Sequence, residues 1–418
     1  MNMLNIPSKV DSWEYLLLRA AQNISLSESK YIQIMERYNQ LEKILTASNN
    51  PLLAEAHIFP QGSMRLRTTI KPVLGAPADL GTVDADAIIW LPNAQGVEAS
   101  VILEAIEERF KEGARVQKDI QPLRRGIRIV YADVDPGFHI DVTPARAIDG
   151  NDEEKGEGKL EVPDRVTGWK ASSPIPYANW LKYVSYQKIE LAMESYDLVR
   201  KHQTFDAATQ EELPAYSDYS DMNPLIATIK LLKRHRDEWA IRTGCKDWRP
   251  ISAVITTLAT HAYSDVVKMS ASNPLRPLDA ILAIVRKMPD YIQYLGGQFF
   301  VCNPEDAAEN FAEKWNRVGE GYKYKEAFFQ WHTNAMASVS IGLEDFSSYE
   351  SFEAVIKEKF GLSGSFISQV NREIPPDWTQ PGRVEGTTRN AAAIGILFGG
   401  ESNSENIQNT VKPVGRLG

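Results

Sequence analysis

A chain of 418 residues exceeds one typical domain, so two lobes are the expectation. An apolar share of 43% beside 24% charged residues is that of a globular protein, and no run of about 18 apolar residues offers a membrane-crossing helix. The net charge of −9 argues against a surface built to grip long nucleic acid, and two cysteines, Cys245 and Cys302, exclude a disulfide framework or a cysteine-based zinc site.

The first residues lack the basic-then-apolar layout of a secretory signal, so a cytoplasmic protein is expected. From about 10 to 48 the spacing of Trp13, Leu16, Leu17, Ala20, Tyr31, Ile34, Tyr38, Leu41 and Ile44 predicts helix, stopped by Pro51. His57-Ile58-Phe59 reads as a short strand running into Gln61-Gly62-Ser63, with a helical turn or two expected over 64–70. A Pro/Gly loop follows, then a strand over 83–91 and a helix over 99–112. Residues 126–132 and 138–143 read as two further strands across a turn at 133–137. The charged, Gly-rich stretch 149–165 reads as a surface loop between lobes. Helical patterns then cover 176–200, 222–243, 251–269, 277–289, 305–318, 322–339 and 347–360. The Pro-, Gly-, Asn-, Ser- and Thr-rich end reads as a flexible tail. The division expected is therefore 1–165 for a catalytic lobe that includes the N-terminal helix, 166–372 for a helical lobe and 373–418 for the tail.

The chemistry concentrates in the first lobe. Strands alternate their side chains, so Asp84 and Asp86 share one face while Val83, Ala85 and Ala87 share the other. Asp141 stands in a second strand between Ile140 and Val142. If the two strands are neighbours, three carboxylates converge, and hard oxygen donors at that density suit Mg²⁺ or Mn²⁺ held together with substrate phosphates. Taken singly, a Gly-Ser turn is most often just a turn, and an Asp-x-Asp pair is most often a solvated face. Charges set among Ile, Val and Ala are costly unless paired or metal-bound, and the joint pattern favours a nucleotidyltransferase. Ser63 with the amides around it is then expected to hold phosphates, with Arg65 and Arg67 nearby.

These stretches resemble the bacterial cyclic-oligonucleotide synthases of the CD-NTase family, relatives of cGAS. The resemblance rests on Gln61-Gly62-Ser63 with Ile70-Lys71-Pro72, on Asp84-Ala85-Asp86 and on His139-Ile140-Asp141-Val142. It continues in Gly168 to Pro174 with Trp180, in Lys230 to Asp237 with Pro250-Ile251-Ser252, and in Asn303-Pro304 through Trp315. It implies an α+β, two-lobed polymerase-beta-like fold with a mixed sheet facing a helical lobe. Asp84, Asp86 and Asp141 would be the catalytic and metal-holding residues. Gln61, Gly62, Ser63, Arg65, Lys230, Lys233 and Ser252 would contact the donor nucleotide; the bland alternative for the last three is a surface lysine pair and a helix cap.

The implied reaction condenses nucleoside triphosphates, ATP first and GTP as co-substrate, into a cyclic di- or trinucleotide with release of pyrophosphate. The implied setting is anti-phage signalling (CBASS), with a separate effector responding to the product. The rival is a template-independent transferase acting on an RNA 3′ end or another acceptor. Without a His followed by clustered cysteines, zinc-dependent DNA sensing is not expected. The terminal Gly418 suits a ubiquitin-transfer-like partner that conjugates the chain's end. His139 neighbours Asp141 across Ile140, within reach of it, but reads first as a plain strand residue.

Overall fold

A computed structural model describes residues 8–112, 120–131, 137–148, 155–192 and 223–373. Seven strands form one mixed sheet: β1 (His57–Pro60), β2 (Val83–Trp90), β3 (Ile120–Pro122), β4 (Ile127–Tyr131), β5 (Phe138–Ala147), β6 (Leu160–Asp164) and β7 (Gly168–Ser172). Their order is β1-β2-β5-β4-β3, with β6 joining the end of β5 and β7 pairing with β6. Only the β2–β5 pair is parallel. Parallel neighbours need a long crossover, and α5 (Ala99–Glu112) lies within it. Val83, Ala85 and Ala87 of β2 sit opposite Phe138, Ile140 and Val142 of β5. All six are fully buried in a core shared with Ile34, Tyr38 and Leu41 of α2 (Glu28–Thr46) and with Ile102, Ile106 and Phe110 of α5. Burying that face turns the acidic residues of both strands to the other side.

The second core is helical. It gathers α6 (Pro174–Tyr186), α7 (Pro224–Thr243), α8 (Ser252–Ser270), α9 (Pro277–Lys287), α10 (Gly321–Ser340), α11 (Tyr349–Phe360) and α12 (Gly364–Glu373). Helix α7 runs through its middle and is closed at both ends by local chemistry. Asn223 caps its first turn, Pro224 occupies the first helical position, and Gly244 ends it with φ 71°. No described helix is long and apolar enough to cross a membrane.

Four expectations change. The predicted helical stretch 10–48 is two helices, α1 (Lys9–Asn23) and α2, broken where Ser25 bridges to Ile70 and Ser27 caps α2. Helix α1, expected with the catalytic lobe, is built into the helical core, where Trp13 is fully buried and its indole N–H donates to the Val339 carbonyl at 2.8 Å. The expected loop 149–165 contains β6, whose buried Asp164 is held by Arg124 and Arg125. The helix expected over 305–318 is a short strand (Asp306–Asn310) paired with Cys302–Asn303, followed by a 3-10 turn over Glu313–Asn316. Asn310 drives that outcome, since its amide binds the backbone of both Val301 and Phe299. The turn expected at 133–137 falls largely, and the tail with Gly418 almost wholly, outside the described residues.

Candidate active site

The parallel register sets Asp86 directly opposite Asp141 and Asp84 opposite His139. Strand β4 approaches β5 from the other side with Arg128 opposite Asp141. Two acids of β2, a histidine and an acid of β5 and a guanidinium of β4 thus share one face. Arg128 grips Asp141 with two bonds, Nε to Oδ1 at 2.7 Å and the terminal nitrogen to Oδ2 at 2.8 Å. His139 Nε2 lies 2.9 Å from Asp84 Oδ1, and its Nδ1 lies 2.9 Å from Thr82 Oγ1. The sequence reading left His139 a plain strand residue; the structure gives it Asp84 as partner.

The Gly-Ser turn closes over this face. Gly62 has φ 53°, and a Cβ there would lie 2.7 Å from Asp86 Oδ2. Only glycine therefore lets the turn approach the carboxylate so closely. Gln61 anchors the turn by donating its backbone N–H to the Asp86 carbonyl at 3.0 Å. The helix that follows spans only Gly62–Arg65, shorter than the one or two turns expected over 64–70, so its dipole adds little. Ser63 Oγ accepts from Thr69 Oγ1 at 3.0 Å, which leaves the Ser63 hydroxyl proton available to an incoming anion. Arg65 stacks its guanidinium over the Phe59 ring, 5.9 Å from the centroid.

Helix α7 reaches the same place from the second lobe. Lys233, only 4% exposed, donates Nζ to the Thr68 carbonyl at 2.9 Å, and Arg234 donates to the Lys71 and Pro72 carbonyls. The loop after the Gly-Ser turn is thus tied to the helical lobe by two adjacent cations. Ser252, at the start of α8, accepts from Arg236 at 3.0 Å and likewise keeps its own proton. Lys230 stands apart: its amine donates to Ser25 Oγ at 2.8 Å.

The electrostatics of this face suit a cation. Burial, then the neighbouring Asp84 and Asp141 carboxylates, push the Asp86 carboxyl well above the ordinary range. The hydrogen bond from His139 and the charges of Arg128 and Lys233 hold the Asp84 carboxyl below the ordinary range. Burial, followed by Arg236, lowers the Lys233 amine to about 8. Asp84, His139 and Asp141 bring ligand atoms within 4.8 Å of one another, with Asp86 beside them under the turn. Repelling carboxylates on a rigid sheet form an oxygen-rich donor set that fits a hard divalent ion such as Mg²⁺ or Mn²⁺. Two site members were not legible as such in the sequence: Arg128 and His139. Their one signal was a basic or imidazole side chain on the acidic face of an otherwise apolar strand.

Comparison with known proteins agrees with this geometry. Residues 14–184 match the family model described as the Second Messenger Oligonucleotide or Dinucleotide Synthetase domain. A c-di-GMP synthase of Roseivirga ehrenbergii is 24% identical over 321 residues, which cover 75% of this chain and 76% of that one. The solved structure of the Bradyrhizobium diazoefficiens CD-NTase CdnG in complex with GTP superposes with a TM-score of 0.60 at 18% identity, covering 87% of this chain and 99% of that one. That likeness shows a shared α+β fold. The synthetase-domain match thus lies over the sheet that carries the acidic face, and the fold shared with the Bradyrhizobium CD-NTase extends across both lobes.

Proposed function

We propose that the chain joins two nucleoside triphosphates into a cyclic dinucleotide, with GTP in at least one of the two positions. The observation that carries this reading is the β2–β5 register, which sets Asp86 against Asp141 beneath a Gly-Ser turn tied to Lys233. The name of the Roseivirga relative and the GTP complex of the Bradyrhizobium protein move the first choice of nucleotide from ATP to GTP.

Each condensation forms a bond from a ribose hydroxyl oxygen to an α-phosphorus and breaks the α–β phosphoanhydride, releasing pyrophosphate. The second condensation closes the ring. Asp84, Asp86 and Asp141 would hold Mg²⁺ or Mn²⁺, which would supply charge neutralisation for the attacking and leaving oxygens. Ser63 and Ser252 donate their free hydroxyl protons to phosphate oxygens, and Lys233 supplies a buried positive charge. Gln61 and Arg65 belong to the outer wall of the same site, while Lys230, bonded to Ser25, stands apart from it. Arg128 keeps Asp141 oriented and balances part of the acidic charge. Signalling through a separate effector, in defence against phage, is part of the same proposal.

The test is incubation of the purified protein with all four labelled nucleoside triphosphates and Mg²⁺ or Mn²⁺, then phosphatase treatment and mass spectrometry. A phosphatase-resistant cyclic dinucleotide containing guanine is expected, and none from an Asp84→Ala/Asp86→Ala variant. A linear, acceptor-dependent product made only when RNA is added would replace this reading with that of a terminal transferase.

A further inference from the structure

We propose that Thr82 and His139 form a positioning relay that aims Asp84, and that His139 itself is not a metal ligand; the inference rests on the metal-holding role proposed for the carboxylates. His139 is 4% exposed and lies on β5 between β2 and β4, with Asp84 across one pairing and Val130 across the other. Both ring nitrogens have partners: Asp84 Oδ1 faces Nε2 and Thr82 Oγ1 faces Nδ1, each at 2.9 Å.

The chemistry of the partners orders this relay. An ionised carboxylate only accepts, so Nε2 carries a proton and donates it to Asp84. In the neutral ring Nδ1 then has only a lone pair, and the Thr82 hydroxyl donates to it, which fixes the Nε2–H tautomer. Thr82 stands just ahead of β2 and Asp84 is its second residue, so both ends of the relay belong to one short segment. The ring is a brace across the parallel pair, closing a small cycle between β5 and β2.

Two consequences follow for the acid. One oxygen, Oδ1, is committed to the imidazole, so Asp84 offers Oδ2 to an ion. Its carboxylate plane is also set by the ring rather than by solvent, although the side chain is 61% exposed. Such exposure would otherwise let an aspartate sample several rotamers. The three carboxylates are thereby held by unlike means: Asp141 by a two-pronged arginine, Asp86 by the close approach of Gly62, and Asp84 by a histidine. Hydrogen-bond partners behind a metal ligand typically change affinity by about 10–100-fold when removed.

The experiment measures Mn²⁺ binding by electron paramagnetic resonance in the presence of a nonhydrolysable GTP analogue, so that turnover is not the readout. His139→Phe is expected to weaken Mn²⁺ about 10–100-fold, and Thr82→Val several-fold. His139→Gln, whose amide places an N–H donor where Nε2 stands, and Thr82→Ser are expected to stay close to the parent. On the unsubstituted protein, pulsed measurements should show no directly coordinated histidine nitrogen on Mn²⁺, and nitrogen NMR should show the Nε2–H tautomer. If His139→Phe fails to fold by circular dichroism, Thr82→Val and the unsubstituted-protein spectra still decide. A nitrogen bound to Mn²⁺ overturns the relay, as does unchanged affinity in Thr82→Val and in a folded His139→Phe. If the parent binds Mn²⁺ no better than Asp84→Ala/Asp86→Ala, the metal reading itself falls instead.

Discussion

At the scale of single residues, Lys233 combines a structural and a chemical role. Its amine is buried, bonded to the Thr68 carbonyl and lowered to about 8 from 10.5. Because the folded value is the lower one, the unfolded chain binds the proton more tightly. Between about pH 8 and 10.5 this group therefore makes folding more favourable as pH rises, while the positive charge proposed to face the phosphates disappears over the same range. The expected outcome is that kcat/KM for the nucleotide declines above about pH 8, measured as a pH series on the free enzyme. Lys233→Met should raise KM by about 10-fold or more, a charged hydrogen bond's worth, and abolish that decline. A profile in the variant identical to the parent's would assign the titration to another group.

The scale of elements shows where chemistry overrides local pattern. The Gly-Ser turn is the clearest case, because its backbone lies where any side chain would strike Asp86 Oδ2. Gly62→Ala should therefore lower kcat by about 100-fold while costing only about 1–2 kcal/mol of stability, read from steady-state rates and thermal melts. This site was legible because Asp84 and Asp86 break an apolar alternation and Asp141 repeats the break. Helix α7 was legible from Leu225, Ile229 and Leu232, but its run Lys233 to Asp237 was not readable as buried. Burial of those charges depends on carbonyls and acids that other elements bring, as Arg234 shows with Lys71 and Pro72. The same reason hid Arg128: only the strand order places it opposite Asp141. Strand β6 was obscured by the charged text ahead of it, and the 306–310 strand by apolar residues that mimic helical spacing. In both places a long-range partner decides, Arg124 and Arg125 for one and the Cys302–Asn303 strand for the other.

At the scale of the whole molecule, the lobes are joined by polar chemistry as well as by core. Glu309 of the helical lobe accepts from Ser172 Oγ, the Ser173 backbone N–H and Asn303 Nδ2, while Arg125 and Lys170 both reach Glu313. Burial, the largest influence, pushes the Glu309 carboxyl up, so those donors are what make its place tolerable. Glu309→Ala strands the donors and should cost about 3 kcal/mol in denaturant unfolding, whereas Glu309→Gln, which still accepts, should cost about 1. The parallel joining of β2 to β5 has a consequence of another kind, in time rather than space. Asp84 and His139 are 55 residues apart in the chain, and the crossover between them must close before their strands can pair. Until that closure two carboxylates stand without the third, so no form that has yet to pair β2 with β5 holds the complete acidic set. A ligand that needs all three finds nothing to bind before the folding barrier is crossed, and it acts by slowing unfolding. Activity in a mixed population then counts only molecules that have folded completely.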